Sequence, residues 1–224
     1  KIQQQATDNK NDKQTKQKKN KLIQSNKSKM TLMFIFHKLI IFLLYFTPAS
    51  TQNVTSFAGQ TTAGHTDGVG SNAFFTNPKG VAMTASYALI VDAGNNQVRK
   101  TILSTQQVSL VAGSSSSSGS TNGIGSNANF NSPNSVAISP DASYCLIADK
   151  GNNQIRKIDL ISLQVSLFAG SPSATGYANA VGTIAKFDNP SDVCISFDGS
   201  YALVVDQANN RIRKIDISTA TVTL

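Results

Sequence analysis

One nine-residue stretch occurs three times in this chain and decides its fold. It reads DAGNNQVRK from Asp92 to Lys100, DKGNNQIRK from Asp149 to Lys157, and DQANNRIRK from Asp206 to Lys214. Each copy begins 57 residues after the one before it, at positions 92, 149 and 206. A constant spacing of this order indicates a fold assembled from repeated structural units.

Two further markers recur in the same order between these stretches. One is the pair Ala-Gly after a short apolar run, and the other is a proline preceded by Asn or Ser. The Ala-Gly markers are Phe57-Ala58-Gly59, Val111-Ala112-Gly113 and Phe168-Ala169-Gly170, and the proline markers are Asn77-Pro78, Ser132-Pro133 and Asn189-Pro190. The chain has no Glu and is rich in Ser, Thr, Asn and Gly, so the repeats are expected to consist of strands and turns.

Each copy divides into four strand-sized pieces. In the second copy they run from Ser135 to Ser139, Tyr144 to Asp149, Gln154 to Leu160 and Gln164 to Phe168. The second piece is nearly all apolar, which predicts that other sheets cover both of its faces. The third piece alternates apolar and charged residues, which predicts one apolar and one charged face. Gly and Asn follow the second piece, as expected for a tight hairpin turn with positive φ.

This pattern predicts an all-β chain, a β-propeller built of four-stranded antiparallel blades. The proline marker followed by SYALIVDAGNNQVRK, from Ser86 to Lys100, resembles the NHL repeat, and the resemblance extends from Phe57 to Leu224. It implies a propeller, commonly six-bladed, that binds proteins, nucleic acid or carbohydrate. The period exceeds the usual repeat of about 40–50 residues. Three copies predict an incomplete ring, either a fragment of a longer propeller or three blades that pair with another copy.

Four of the polar positions that are the same in all three copies are interpreted as structural residues of each blade. They are Asp92, Asn95, Asn96 and Arg99 in the first copy, Asp149, Asn152, Asn153 and Arg156 in the second, and Asp206, Asn209, Asn210 and Arg213 in the third. The aspartate is expected to cap its turn by accepting backbone N–H bonds, and the arginine to pack along the strand or to pair with an aspartate. The alternative is a ring of charges around a ligand channel.

The loop between the Ala-Gly and proline markers has the letters of a dinucleotide-binding fingerprint, from Gly68 through Gly70 to Ala73. That fingerprint requires a preceding strand and a following helix. Here it lies in a loop, recurs in the second copy, and has Ala180 in place of its first glycine in the third. We therefore expect no cofactor, and we interpret the loop as an anchor for an aromatic ring between blades. These rings are Phe75, Phe130 and Phe187.

The same loop contains candidate calcium ligands in Asp67, Asn122 and Asn179, whose side-chain oxygens are of the type that calcium prefers. Only one of the three is a carboxylate, so the ligand set is too small and no metal is expected.

The repeats contain little catalytic chemistry. They have one histidine, His65, and no glutamate. Catalytic propellers of the lactonase and amidating-lyase kinds, which this fold resembles, need His, Glu or Asp that converge on the axis, so we expect no catalytic residue here. Cys145 and Cys194 stand where the sister repeats have alanine, and each is expected to be a buried free thiol.

The first fifty-one residues have a different character. Residues 1–29 are rich in Lys, Gln and Asn and are predicted to be a disordered leader, upstream of the first methionine, Met30. Residues 30–51 have the layout of a secretory signal peptide, with an apolar run from Leu39 to Phe46, and residues 52–224 form the predicted propeller. The alternative is an uncleaved signal-anchor over residues 30–46. Asn53 begins a glycosylation acceptor sequence, which agrees with export.

The net charge of +8 resides outside the repeats. Residues 1–50 hold ten Lys and two Asp, whereas the remainder holds ten basic and ten acidic residues. A nucleic-acid-binding domain would carry its basic excess on the folded part, so no nucleic-acid partner is expected.

These observations predict a secreted or extracytoplasmic, non-catalytic binding module for a protein or glycan partner. The long loops Gly59–Asn77, Gly113–Ser132 and Gly170–Asn189 differ between copies while the strands match, so they are expected to form the partner face. Two alternatives remain open. One is a propeller enzyme with catalytic residues in further blades, and the other is a membrane-anchored receptor ectodomain.

Overall fold

Three antiparallel sheets, one for each repeat, make up the described part of the chain. A computed structural model describes residues 53–172 and 174–224. The leader predicted for residues 1–29 and the signal peptide predicted for residues 30–51 lie outside them. Within the described ranges, no helix is long and apolar enough to cross a membrane.

The first two repeats each form a five-stranded sheet. In blade 1 the spatial order is β1-β5-β4-β3-β2, and in blade 2 it is β6-β10-β9-β8-β7. Blade 1 consists of β1 (Gly68–Val69), β2 (Pro78–Met83), β3 (Tyr87–Asp92), β4 (Gln97–Ile102) and β5 (Gln107–Gly113). Blade 2 consists of β6 (Gly123–Ile124), β7 (Ser135–Ile138), β8 (Tyr144–Asp149), β9 (Gln154–Asp159) and β10 (Gln164–Gly170).

Blade 3 is a four-stranded sheet in the order β11-β12-β13-β14. Its strands are β11 (Pro190–Ile195), β12 (Tyr201–Asp206), β13 (Arg211–Asp216) and β14 (Val222–Thr223). An isolated bridge between Val181 and Thr221 takes the place of the additional short strand found in the other blades.

The four strands predicted for the second repeat are confirmed, with ends that differ by no more than two residues. The additional strand β6 was not predicted, because two residues are too few to show alternation. It pairs with Gln164 and Val165 at the outer edge of blade 2. The long loop therefore folds back along its own blade before it reaches the first strand.

The turn between the second and third strands of each blade is a three-residue 3-10 helix. In blade 1 this helix is Ala93–Asn95, and Asn96 ends it in the left-handed region, with φ 53°. Gly94 is not left-handed, so the expectation of positive φ holds for the final asparagine alone. Gly94 is needed for a different reason, since a Cβ there would lie 2.6 Å from Thr76 Cγ2.

The Ala-Gly marker has a steric origin. Gly113 has φ +98°, and a Cβ on it would lie 2.2 Å from the carbonyl oxygen of Asn96. Both the dihedral angle and the close backbone approach require glycine. Gly170 occupies the same position in blade 2, where a Cβ would lie 2.5 Å from the Asn153 oxygen.

The apolar core lies between blades. One cluster joins Leu89 and Val91 of blade 1 to Phe130 and Ile147 of blade 2. A second cluster joins blade 2 to blade 3 in the same way. The first strand of each blade lies beside the first strand of the next, so these inner strands approach one another.

This packing corrects two predictions from the sequence. The charged face predicted for the third strand is wrong, because Arg156 is fully buried on β9 between blades. The prediction of two buried cysteines holds for Cys145, whose thiol pKa burial raises, but not for Cys194. Cys194 is exposed because, within the described residues, no further sheet covers its side of blade 3.

Candidate functional site

A buried arginine joins each blade to the long loop that precedes it. Arg156 Nη1 donates to Asp149 Oδ2 (3.2 Å) and to the Asn129 carbonyl (3.0 Å). Its Nη2 donates to the Thr121 carbonyl (3.1 Å) and to Asn122 Oδ1 (2.7 Å). The planar guanidinium thus binds four acceptors on two segments at once, which a lysine could not do.

The other blades repeat this arrangement. Arg99 donates to Asp92, Asp67 and the carbonyls of Thr66 and Phe74. In blade 3 the corresponding donor and acceptors are Arg213 with Asp206, Asn179 and the carbonyls of Ala178 and Lys186. Each guanidinium also lies about 5 Å from a ring centroid, that of Phe75, Phe130 or Phe187.

The repeated aspartate bonds to the loop instead of capping its own turn. Asp149 Oδ1 accepts the backbone N–H of Asn131 (2.8 Å), and the turn that follows Asp149 has no side-chain cap. Burial raises the pKa of Asp149 to about 6, against the opposing effect of its hydrogen bonds and of Arg156. Burial likewise raises the pKa of Asp92.

The two repeated asparagines have different functions. Asn152 Nδ2 donates to Asp149 Oδ2 (2.7 Å) and to the Gly119 carbonyl (2.7 Å), so it fixes the start of the loop. Asn153 Oδ1 accepts the backbone N–H of Asn189 (2.8 Å) in the next blade. Asn95 and Asn209 match Asn152, and Asn96 matches Asn153.

These bonds commit most of each long loop to its blade. Asp67, Asn122 and Asn179, the candidate calcium ligands, direct oxygens to arginine guanidinium groups. Within the described ranges, no group of three or more His, Cys, Asp or Glu could hold a metal ion. If one of these loops were replaced as a whole, the buried guanidinium group of that blade would lose these acceptors.

The remaining candidate residues are accounted for as follows. The glycine-rich segment is a two-residue strand followed by the 3-10 helix Gly70–Asn72, which is not the long helix that a dinucleotide fingerprint requires. Phe130 and Phe187 are buried between blades, as predicted, and Phe75 is half-buried. His65 and Asn53 are exposed.

A polar groove runs across the first strands of the three blades, and we call it the inner-strand groove. It has a volume of about 630 Å³. Its lining residues are Lys79, Gly80 and Val81 from blade 1, Asn134 and Ser135 from blade 2, and Ser191, Asp192 and Val205 from blade 3. No sequence motif marks this groove, because its residues are brought together only by the packing of blades.

Two contacts between blades hold the lining in place. Asn134 Nδ2 donates to the Ser191 carbonyl (2.6 Å), and the Ser135 hydroxyl donates to Asp192 Oδ1. Lys79 is exposed at the same groove. The groove therefore presents one ammonium and one carboxylate on a floor of strands.

Comparison with known proteins agrees with the repeat analysis. No family model matches the chain. The chain is 25% identical over 160 residues to NHL repeat-containing protein 2 of Bos taurus, which covers 67% of this chain and 22% of that protein. Protein SUPPRESSOR OF QUENCHING 1, chloroplastic, of Arabidopsis thaliana is 25% identical over 160 residues, 70% of this chain and 15% of that protein. The chain thus spans about a fifth or less of the length of these curated relatives.

Solved structures share the fold. A Bacteroides thetaiotaomicron structural genomics protein of unknown function matches with a TM-score of 0.58 and 23% identity, over 74% of this chain and 40% of that one. An auxiliary nutrient binding protein from Bacteroides ovatus matches with a TM-score of 0.54 and 21% identity, over 65% and 38%. The 57-residue repeats and the antiparallel blades that they form identify the chain as three blades of a β-propeller. In sequence these blades are similar to NHL repeat-containing proteins.

Proposed function

We propose that the chain is an exported, non-catalytic binding module whose partner is a protein segment that occupies the inner-strand groove. The observation that carries this proposal is a contrast between positions within the repeats. The positions that hold each blade together have the same residue in all three copies. The two polar positions of the first strand that line the groove differ in every copy.

The first lining position is Lys79, Asn134 or Ser191 in successive blades, and the second is Gly80, Ser135 or Asp192. A residue that serves the blade should recur with the blade, whereas a residue that contacts a partner has no reason to repeat. Side chains that differ on a rigid, repeated scaffold are typical of a recognition surface.

The chemistry of the lining favours a polar protein segment. Lys79 can pair with a carboxylate and Asp192 with a basic side chain, while amide and hydroxyl groups lie between them. The lining contains no aromatic ring on which a sugar could stack. The loops at this end of the blades would add contacts around the groove, as predicted from their variation between copies.

Export is supported by the signal-peptide layout of residues 30–51 and by the exposed acceptor Asn53 that follows it. Among solved proteins of this fold, one is described as an auxiliary nutrient binding protein. Expression of the full chain in a secretory host should give a mature protein that begins near residue 51. If the chain were instead recovered in the membrane fraction with residues 30–46 intact, the alternative of a membrane-anchored receptor ectodomain would be supported.

Binding is tested by probing peptide and glycan arrays with the labelled full chain. The double variant Lys79→Gln, Asp192→Asn removes both charges and keeps the size of each side chain. Lys186→Gln is the matched control, because Lys186 lies outside the groove lining. We expect the wild type and the control to bind the same charged peptides, and the double variant to bind at least tenfold more weakly. Equal binding by the double variant, or binding to glycans alone, would contradict the proposal.

A further inference from the structure

A cavity of about 240 Å³ lies between blades 1 and 2, apart from the inner-strand groove. Blade 1 lines it with Tyr87, Leu89, Lys100 and Val111, and blade 2 lines it with Leu160 and Leu163 among others. Both walls belong to described blades that pack directly on each other. The cavity is therefore a feature of this junction itself.

The interior of the cavity is apolar. Leu89 and Val111 are buried members of the core cluster between the two blades, and Leu160 and Leu163 pack against that cluster. The cavity has the volume of about eight water molecules in the liquid. Apolar walls offer water few hydrogen-bond partners, so the space favours a hydrocarbon chain over solvent.

The junction between blades 2 and 3 has a larger side chain at the matching place. Phe168 occupies the repeat position of Val111, directly before the Ala-Gly pair, and packs against the second core cluster. Phe57 stands at this position in the first Ala-Gly marker, so valine is the exception among the three. On the opposite wall Leu163 is larger than its counterpart Ala220, yet the cavity remains.

One ammonium group at this cavity has no ionic partner among residues 53–172 and 174–224. Lys100 Nζ lies 4.4 Å from the ring centroid of Tyr87 and forms no ion pair in that part of the chain. The corresponding lysine and tyrosine of blades 2 and 3 make the same contact. The contact with tyrosine is thus a repeated feature that holds the ammonium in place.

The second and third repeats supply an acid near this lysine, whereas the first does not. Two residues after the lysine, blade 2 has Asp159 and blade 3 has Asp216, but blade 1 has Ile102. Hydrogen bonds from Ser162 lower the pKa of Asp159, and the positive charge of Lys157 lowers it further. Blade 1 therefore departs from its sister blade 2 twice at one place, in the ring that would fill the space and in the carboxylate that would face the lysine.

We propose that this cavity binds a small alkyl carboxylate, with its chain between the two blades and its carboxylate on the Lys100 ammonium. The chain would occupy the space that Phe168 takes at the next junction, and the carboxylate would supply the charge that Asp159 supplies in blade 2. The volume lies below the roughly 300–1,000 Å³ of pockets for drug-sized ligands, so the ligand is short. Since a charge-assisted hydrogen bond is stronger than a neutral one, the site should prefer an anion to an alcohol of equal length.

The test is isothermal titration calorimetry of the full chain with octanoate and, as the neutral probe, with octanol. We expect octanoate to bind at least tenfold more tightly than octanol. Lys100→Met should weaken octanoate binding at least tenfold and leave octanol binding unchanged, because the apolar walls remain. Lys157→Met is the matched control, since Lys157 makes the same tyrosine contact at the next junction, and it should bind both probes as the wild type does.

Filling the cavity tests the site independently of its charge. Val111→Phe introduces the side chain found at the corresponding position of blade 2, and it should abolish binding of both probes while the β-sheet circular dichroism is kept. If this variant fails to fold, Val111→Leu takes its place and should weaken both probes. A wild type that binds no octanoate, octanol bound as tightly as octanoate, octanoate affinity unchanged by Lys100→Met, or unchanged binding after the cavity is filled would each overturn the proposal.

Discussion

At the scale of the residue, a buried arginine connects the loop to the blade. Replacing Arg156 with Met keeps an unbranched apolar stem but leaves Asp149 buried without a cation and the Thr121 and Asn129 carbonyls without a donor. We expect the free energy of unfolding to fall by about 3–5 kcal/mol. Lys157→Met is the matched control, since Lys157 is half-buried and contacts Tyr144 through a cation–π interaction at 4.2 Å. It should cost less than about 1 kcal/mol. Similar urea midpoints for the two variants would contradict this account.

The sequence predicted that these residues are structural and that the arginine could pair with an aspartate, as Arg156 does with Asp149, but it did not predict the loop atoms that they bind. The residue types of Asp149, Asn152 and Arg156 recur in every repeat, which indicates a structural function within the blade. The partner of Asp149 is the N–H of Asn131, 18 residues earlier, and only the path of the loop brings the two together. The inner-strand groove was missed for the same reason, because Asn134 and Ser191 meet through blade packing.

At the scale of the element, two glycines of the long loop Gly113–Ser132, one at its start and one in its interior, differ in how they tolerate a side chain. Gly113 and Gly125 both have positive φ. A Cβ on Gly125 would meet nothing nearer than the Val111 carbonyl oxygen, at 3.8 Å, whereas a Cβ on Gly113 would lie 2.2 Å from the Asn96 oxygen. Gly125→Ala should therefore cost only the conformational strain, about 1–2 kcal/mol. Gly113→Ala should lower the unfolding free energy by clearly more, because the turn at Asn96 must move. Equal unfolding free energies for the two variants would contradict this expectation and show that the turn moves freely.

The strands themselves were predictable because they are four to seven residues long and bounded by turn residues. The additional strands β1 and β6 were not, since each has two residues and pairs only where the loop returns along the blade. The same limit explains the wrong expectation of a charged face on β9. Alternation reveals which residues share a face, but not that neighbouring blades cover both faces of β9 and that Arg156 is buried.

At the scale of the whole molecule, the pKa of buried Asp149 and the pKa of Asp198 on an exposed turn are shifted in opposite directions. Burial raises the pKa of Asp149 from 3.8 to about 6. Hydrogen bonds from Ser196 and Ser200 lower the pKa of Asp198 to about 2. Because the pKa of Asp149 is raised, the folded chain binds its proton more tightly than the unfolded chain. The contribution of Asp149 to the unfolding free energy is therefore greatest below pH 3.8 and is lost as the pH rises toward 6. Because the pKa of Asp198 is lowered, its contribution to the unfolding free energy is present above pH 3.8 and is lost as the pH falls toward 2.

The unfolding free energy of the full chain should therefore pass through a maximum near pH 4 and fall on both sides. Asp149→Asn removes the titrating group inside the blade and should flatten the decline between pH 4 and 6. Asp198→Asn should flatten the decline below pH 4 and leave the upper side unchanged. Urea unfolding from pH 3 to 8 measures all three profiles. If Asp149→Asn kept the same slope between pH 4 and 6 as the wild type, the buried carboxylates would not control the pH response, and the charges on the surface turns would have to explain it.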